Sequence, residues 1–186
     1  MTVTRLIALD DAETLARLLT ANREYLAPWS PRQGDRYFTA DGQREILERD
    51  LAVFEAGGML PLAILDADGA ICGRINLNSI VRGAFQSASV GYWVSESSIG
   101  RGRATAAVAD AVGMAFGEYR LHRLEAATLL HNTPSQRVLA RNGFRPFAIS
   151  ENYLKIDGRW QDHILFQLLS PGERHPVPPD VRAGRA

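Results

Sequence analysis

SVGYWVSESSIGRGRATAAVADAVGMAFGE, residues 89–118, passes from an apolar, aromatic segment through a glycine-rich loop into an alanine-rich segment. The first segment is typical of a strand, and the apolar spacing after Gly102 predicts a helix packed closely on a sheet. Backbone N–H groups at such a helix start can bind a pyrophosphate, and small residues at 100, 102 and 104 let phosphates approach the backbone. A tight turn also uses glycine for steric reasons alone, so the loop by itself leaves phosphate binding open.

The segments on both sides of this unit alternate between helical and strand patterns. Apolar spacing predicts two helices near the N-terminus, and Leu60 begins a series of strands typical of an antiparallel meander. The order predicts a mixed α/β fold. The predicted elements are a first strand at 3–9, helices at 11–25 and 40–56, strands at 60–65, 71–80 and 87–94, a helix at 102–118, a strand at 123–130, a helix at 134–141, and two strands that flank Asp157-Gly158.

Length and composition indicate one folded domain. The chain has 186 residues, of which 46% are hydrophobic and 23% charged, values typical of a globular protein. We expect a single domain over 1–170 and a poorly ordered, proline-rich tail over 171–186. The pattern of a secretory signal and runs of about 18 apolar residues are both missing from the sequence, which predicts a cytoplasmic protein without a membrane partner.

Charge and cysteine content exclude further classes. Basic and acidic residues number 21 each, so no overall positive field would attract nucleic acid. The single cysteine, Cys72, excludes an internal disulfide and a thiolate-rich zinc site. We therefore expect neither direct nucleic-acid binding nor a metal.

Two blocks resemble the GNAT superfamily of N-acetyltransferases. Ile99-x-x-Gly102-x-Ala104 is similar to the family's Q/R-x-x-G-x-G/A loop, which binds the coenzyme A pyrophosphate, although Ile99 stands in place of Gln or Arg. Asn132-x-x-Ser135, before Leu139–Phe144, resembles the N-x-x-S…L-x-x-x-G-F segment that reaches the pantetheine arm and its sulfur. Asn132 also fits a helix cap, and both roles can hold at once.

The resemblance implies acetyl-CoA as cosubstrate and a mostly antiparallel central sheet of six to seven strands, flanked by helices and splayed at the acetyl-CoA cleft. The residues implied for acetyl-CoA binding are Tyr92, Trp93, Val94, Ile99, Gly100, Arg101, Gly102, Arg103, Ala104, Thr105, Asn132 and Ser135.

Three further blocks resemble the ribosomal-protein-alanine N-acetyltransferases, most closely the RimJ type. The blocks are NREYLAPW at 22–29, IVRGAF at 80–85 and YLKIDGRWQDH at 153–163. Because relatives acetylate the α-amino group of a ribosomal protein, the resemblance implies an N-terminal acceptor with alanine or a similar small residue. It indicates Trp29, Arg82 and Tyr153 as acceptor contacts. Packing explanations also exist: a lid for Trp29, a turn at Arg82 and cross-strand packing for Tyr153.

The implied reaction is direct attack of a neutral amine on the thioester. Main-chain N–H groups of residues 90–94 are expected near the acetyl oxygen, and Ser135 or Tyr153 is expected to protonate the leaving thiolate. A related branch carries a glutamate directly before its Tyr-Leu pair, where this chain has Asn152. Glu151, one residue earlier, is a candidate base only if a bulge or turn re-aims its side chain.

An N-terminal α-amine as acceptor needs a weaker base than a lysine side chain does. An α-amine has a reference pKa of about 7.7–8.0 and is partly neutral at cell pH, whereas lysine at about 10.4 is not. Asp162 and His163 are neighbours on a predicted strand, and adjacent strand residues point to opposite faces, so a shared catalytic role is not expected.

Two alternatives remain open from the sequence. The same scaffold can serve a small-molecule amine, for which a deep, closed, acidic pocket would be expected, since fold does not define the acceptor. The departure at Ile99 and the unsettled base also leave open a non-catalytic acyl-CoA-binding or ribosome-assembly module. The oligomeric state is expected to be monomer or homodimer.

Overall fold

The structure is a computed structural model, and it describes residues 2–172. Most of the predicted tail, 173–186, therefore lies outside the described residues. The helices are α1 (Ala12–Ala21), α2 (Arg23–Leu26), α3 (Ala40–Glu55), α4 (Arg103–Gly117) and α5 (Thr133–Arg141), and the strands are β1 (Thr4–Leu6), β2 (Leu60–Leu65), β3 (Ile71–Val81), β4 (Ser87–Val94), β5 (Arg123–Leu129), β6 (Arg145–Ile156) and β7 (Arg159–Leu169).

The seven strands form one sheet in the order β1-β2-β3-β4-β5-β7-β6. Neighbouring strands are antiparallel except for β4 and β5, which are parallel. Helix α4 makes the crossover that a parallel pair requires, whereas short turns join the antiparallel hairpins. The predicted mixed α/β fold with a mostly antiparallel sheet is confirmed.

The sheet opens between β4 and β5. Backbone pairing joins only residues 87–89 of β4 to residues 123–125 of β5. Further along, β4 stays paired with β3 and β5 stays paired with β7, so each strand continues without the other. The result is a gap in the middle of the sheet, next to the loop that leads into α4.

The two faces of the sheet are covered by different helices. The larger core cluster joins α4 and α5 residues, such as Val108 and Leu139, to Ile75 on β3. A smaller cluster joins Leu15 of α1 and Leu47 of α3 to the opposite face. We call these the α4 face and the α1 face. Because strand side chains alternate, neighbouring residues on β4 serve different faces.

The first helix is shorter than predicted. A helix over 11–25 was expected, but α1 ends at Ala21 and a separate short helix, α2, follows. Asn22 between them is buried, and its side-chain carbonyl accepts a hydrogen bond from the backbone N–H of Glu96 at 2.8 Å. Such a long-range contact overrides local helical spacing and ties the N-terminal helices to the loop after β4.

Within residues 2–172, every helix is too short or too polar to cross a membrane.

Candidate active site

The loop before α4 has the shape of a phosphate cradle. Gly100 and Gly102 adopt left-handed backbone conformations, with φ of +73° and +74°. An added Cβ would meet open space at both positions, so the backbone angle, not crowding, requires glycine. Helix α4 starts at Arg103 without a side-chain cap. Its first-turn N–H groups therefore remain available to an anion.

The remaining loop residues frame this cradle. Ile99 is 51% exposed and stands where the family motif carries a polar residue. Arg101 is exposed, whereas Arg103, Ala104 and Thr105 are half-buried in the first turn of α4. The loop thus offers backbone N–H groups and two guanidinium groups to a pyrophosphate.

A hydroxyl pair lies on the α4 face of the gap. The Tyr92 and Ser135 hydroxyl oxygens are 2.8 Å apart. Asn132 caps α5 by accepting a hydrogen bond from the Ser135 backbone N–H at 3.2 Å, which fixes the start of the helix that carries Ser135. Burial raises the pKa of Tyr92 to about 12, against a smaller opposing effect of the hydrogen bond to Ser135. Tyr92 therefore stays protonated near neutral pH and can hold or supply a proton through Ser135.

A cavity of about 230 Å³ occupies the gap between β4 and β5. Tyr92 and Ser135 line it from the α4 face. Trp93 lines it too, but Trp93 packs with the α1-face cluster. Trp29, on the turn after α2, completes the α1-face side of the lining. The cavity therefore joins the two faces of the sheet.

The lining of this cavity is almost uncharged. In the part of the chain that the structure describes, its lining includes no Asp, Glu, Lys or Arg, and its titratable side chains are Tyr92 and His163. The Thr128 hydroxyl adds one more polar group, and it is buried without a hydrogen-bond partner.

A second cavity of about 320 Å³ lies on the α1 face and shares Leu26, Ser30, Pro31 and Trp93 with the first. Its wall is fixed to the β6–β7 turn, because Asp157 donates its backbone N–H to the Ser30 carbonyl at 3.1 Å. The Arg32 guanidinium also pairs with the Asp157 carboxylate at 3.0 Å. The segment 30–32 thus forms a strap between the N-terminal helices and the last hairpin.

Strand β6 carries the bulge on which the candidacy of Glu151 depends. The β6–β7 register shifts between Ser150 and Leu154, and Asn152 has a φ of +48°. The bulge is present, but it leaves Glu151 exposed and outside the lining of both cavities. Tyr153 is 42% exposed, and its ring centroid lies 5.4 Å from that of His163.

Arg82 lies apart from the other predicted acceptor contacts. It is exposed in the turn before β4, at the end of the strand opposite Val94, which is about 23 Å along a strand. Its guanidinium donates a hydrogen bond to the Tyr119 carbonyl and lies over the Tyr119 ring. Trp29, by contrast, lines the central cavity, with its ring 5.5 Å from that of His131. Arg82 is therefore left out of the acceptor site proposed below, because it reaches neither cavity.

Sequence reasoning did not select His163 or Thr128. His163 is 3% exposed and lines the cavity, while the carboxylate of its neighbour Asp162 accepts the Asn152 backbone N–H. The alternation that argued against a joint role thus holds, but it left open which of the two faces the cleft. Thr128 carries no sequence signal beyond its place in a strand.

A sheet opened between two parallel strands, with free N–H groups at the start of the crossover helix, is suited to a transferase that uses a pyrophosphate-bearing donor. The Acetyltransferase (GNAT) domain model matches residues 2–145, and the chain belongs to this family of acyltransferases.

Within this family, the chain is similar to several N-acetyltransferases, including RimJ-type enzymes. The chain is 34% identical over 170 residues to the probable N-acetyltransferase YjcK of Bacillus subtilis, covering 91% of this chain and 94% of that protein. It is 31% identical to the ribosomal protein uS5-alanine N-acetyltransferase of Escherichia coli, covering 91% and 88%. The structure of Mycobacterium smegmatis RimJ with CoA-disulfide is 35% identical, with a TM-score of 0.87, covering 98% of this chain and 88% of that one. The resemblance to RimJ-type enzymes is confirmed.

Proposed function

We propose that this N-acetyltransferase transfers the acetyl group of acetyl-CoA to the N-terminal α-amino group of a protein, with a ribosomal protein as the favoured acceptor and the cytoplasm as its location. The observation that carries the proposal is the cavity between β4 and β5. It joins the hydroxyl pair on the α4 face to the aromatic side chains on the α1 face.

The α4 face suits acetyl-CoA. The glycine cradle and the start of α4 would hold the pyrophosphate, and Asn132 and Ser135 lie further along the same cleft. The unpartnered Thr128 hydroxyl shows that the cleft holds a polar group without a protein partner, as expected of a ligand site. The bound thioester supplies the acetyl group, and the backbone of β4 that has no β5 partner would offer N–H groups near the acetyl oxygen.

The α1 face suits a chain terminus. Trp29 and Trp93 form aromatic walls, and the second cavity continues from them under the strap at 30–32. An N-terminal residue can enter the gap while the following residues occupy the larger cavity. Tyr153 stands at the rim of the gap, in contact with His163.

The uncharged lining favours an α-amine over a small polyamine. A pocket for a cationic small molecule would need carboxylates, and none lines the gap within residues 2–172. An α-amine, with a reference pKa of about 7.7–8.0, loses its proton far more readily than a lysine-type amine at about 10.4, so its neutral form costs less to produce in this lining.

Thiol release from acetyl-CoA tests the proposal. The purified protein is mixed with short peptides that begin with a free alanine, and with matched N-blocked peptides that retain an internal lysine. We expect thiol release and an acetylated N-terminus only with the free peptides. Release with small amines and not with any peptide would contradict the proposed acceptor.

A further inference from the structure

We infer that His163 is the general base that takes the proton from the acceptor amine. The inference deepens the proposed function and rests on it, because it concerns the amine that enters the gap between β4 and β5. Three observations carry it: the position of the imidazole, the hydrogen bond that fixes its tautomer, and the lack of a rival base in the lining.

The position is the one a base requires. His163 is 3% exposed and lines the cavity. Its neighbours on β7, Ile164 and Phe166, belong to or pack against the α4-face core, so alternation directs His163 to the α1 face. The acceptor amine comes from that side. The hydroxyl pair of Tyr92 and Ser135 lies on the other side of the gap.

A hydrogen bond leaves one ring nitrogen free for proton transfer. His163 Nδ1 lies 2.9 Å from the Gln161 carbonyl oxygen. A carbonyl only accepts, so Nδ1 carries the hydrogen and Nε2 carries the lone pair of the neutral ring. Packing against Tyr153, at 5.4 Å between ring centroids, restrains the ring.

The cavity offers no better base. Its lining has no carboxylate in the described part of the chain, and its other titratable group is Tyr92, whose raised pKa of about 12 keeps it protonated. Glu151 is exposed outside the lining. The Asp162 carboxylate is directed to the Asn152 backbone N–H at 2.9 Å. The Tyr153 ring contacts the imidazole, and the Glu151 and Asp162 carboxylates both lie outside the lining of the cavity.

The proton balance is complete. The acceptor R–NH₃⁺ gives one proton to His163 Nε2, and the neutral amine forms its C–N bond as the C–S bond of the thioester breaks. The leaving thiolate takes one proton from the Ser135 hydroxyl, which recovers a proton through Tyr92. As the amide forms, the nitrogen loses its second proton, which replaces the one that the Tyr92–Ser135 pair gave to the thiolate. The proton held by His163 then passes to solvent, so the reaction releases one proton in total.

The test compares His163→Asn with the wild type. The asparagine amide can still donate to the Gln161 carbonyl, but it has no basic nitrogen. We expect kcat/KM for a free-alanine peptide at pH 7 to fall about 100-fold or more, a typical contribution of a general base. Acetyl-CoA affinity, measured by calorimetry, should change less than about twofold. The exposed His122→Asn is the matched control and should keep full activity.

Two readouts separate a base from a structural role. The deficit of His163→Asn should shrink at pH 9, because the amine is then neutral without help. Added imidazole should restore activity to His163→Ala and not to His163→Asn. An active wild type with a His163→Asn variant within about threefold of it overturns this inference alone. A wild type that releases no thiol with any peptide overturns the proposed function, and this inference with it.

The structure assigns a second role, carried by a different observation, to Thr128. Its hydroxyl is buried, unpartnered and in the lining of the gap. Leu124 and Ala126, four and two residues earlier on β5, belong to the α4-face core, so Thr128 points to the cosubstrate side. A buried hydroxyl without a partner destabilises the free protein. We assign it to a hydrogen bond with a carbonyl oxygen of bound acetyl-CoA.

Thr128→Val tests this assignment, because it should raise the melting temperature of the free protein and lower its affinity for the cosubstrate. The melting temperature of the free protein should rise by about 2 °C or more, because an unsatisfied polar group is removed. Affinity for acetyl-CoA in calorimetry should fall about fivefold or more, because one hydrogen bond is lost. Thr4→Val is the matched control, since the Thr4 hydroxyl is buried and bonded to Asp110 at 3.1 Å. It should lower the melting temperature. A lower melting temperature or an unchanged affinity for acetyl-CoA in Thr128→Val overturns the assignment.

Discussion

Tyr92 and Trp93 are adjacent in sequence and lie on opposite faces of the sheet. Tyr92 pairs with Ile75 of β3 on the α4 face, and Trp93 pairs with Arg74 on the α1 face. In the proposed mechanism, strand alternation thus gives the donor side a hydroxyl that holds a proton and the acceptor side an aromatic wall. The family resemblance implies that both residues contact acetyl-CoA. It does not indicate that their side chains lie on opposite faces of the sheet.

The raised pKa of Tyr92 predicts a specific loss of stability at high pH. The folded-state pKa of about 12 lies above the reference value of 10.0, so the protonated group stabilises the fold fully below pH 10. This stabilisation is lost as pH rises toward 12, and it amounts to about 2–3 kcal/mol. Urea unfolding of the wild type and Tyr92→Phe at pH 9 to 12 checks this. The difference in unfolding free energy between them should decline with pH, and a constant difference would contradict the pKa.

The roles of individual residues were harder to predict from the sequence than the helices and strands. The glycine loop, Asn132 and Ser135 could be selected from the sequence because each fits a motif with a known spacing. His163 could not be selected, because its face depends on the register after the bulge at 150–154. Arg82, like Trp29, was predicted as an acceptor contact, and this stays a prediction. Arg82 lies in the turn before β4, at the end of the strand away from Val94. Motifs identify side chains, whereas register decides which of them meet.

Helix α4 permits a test of the cradle with matched substitutions. Gly102→Ala should destabilise the fold by about 1–2 kcal/mol, because a φ of +74° is unfavourable for a residue with a Cβ. It should also weaken CoA binding. Gly113→Ala in the same helix, where an added Cβ meets open space, should instead stabilise by up to about 1 kcal/mol. Thermal unfolding and calorimetry compare the two, and equal effects would refute a conformational role for Gly102.

The contact of α3 with the sheet depends on a buried ion pair. Arg74 of β3 and Asp50 of α3 lie 2.9 Å apart, with side chains only 10% and 12% exposed. Asp50→Ala leaves the guanidinium without its partner and should cost about 3–5 kcal/mol. Arg49→Ala removes a 68% exposed partner of the same carboxylate and should cost less than about 1 kcal/mol. Denaturant unfolding measures both, and a small loss for Asp50→Ala would show that the pair contributes little.

Element boundaries followed from local chemistry and failed where distant contacts decide. The predicted strands at 60–65 and 87–94 match β2 and β4. The first helix did not extend to residue 25 because Asn22 makes hydrogen bonds to the loop after β4. Periodicity indicates which face of a helix is apolar, but it carries no information on a contact 74 residues away in the chain.

The fold class was predicted from the sequence, but the order of the strands in the sheet was not. The mixed α/β class could be inferred from the order of elements, and the mostly antiparallel sheet was implied by the family resemblance. The insertion of β7 between β5 and β6 could not, because pairing of distant strands leaves no local pattern. The gap between β4 and β5 follows from this arrangement, since β7 holds β5 while β3 holds β4.

The gap also determines the kinetic order of the reaction. In the proposed site, donor and acceptor would enter from opposite faces of the sheet and meet within one cavity, so both could be bound together. The one cysteine, Cys72, is buried, and burial raises the pKa of its thiol, which leaves it unsuited to carry an acetyl group. The proposed reaction therefore proceeds through a ternary complex with direct transfer of the acetyl group.

Initial rates measured over a grid of acetyl-CoA and free-alanine peptide concentrations test this mechanism most directly, together with intact mass after incubation with acetyl-CoA alone. Intersecting double-reciprocal lines and an unchanged protein mass are the predicted result. Parallel lines and a stable acetyl-protein adduct formed without peptide would contradict direct transfer through the gap.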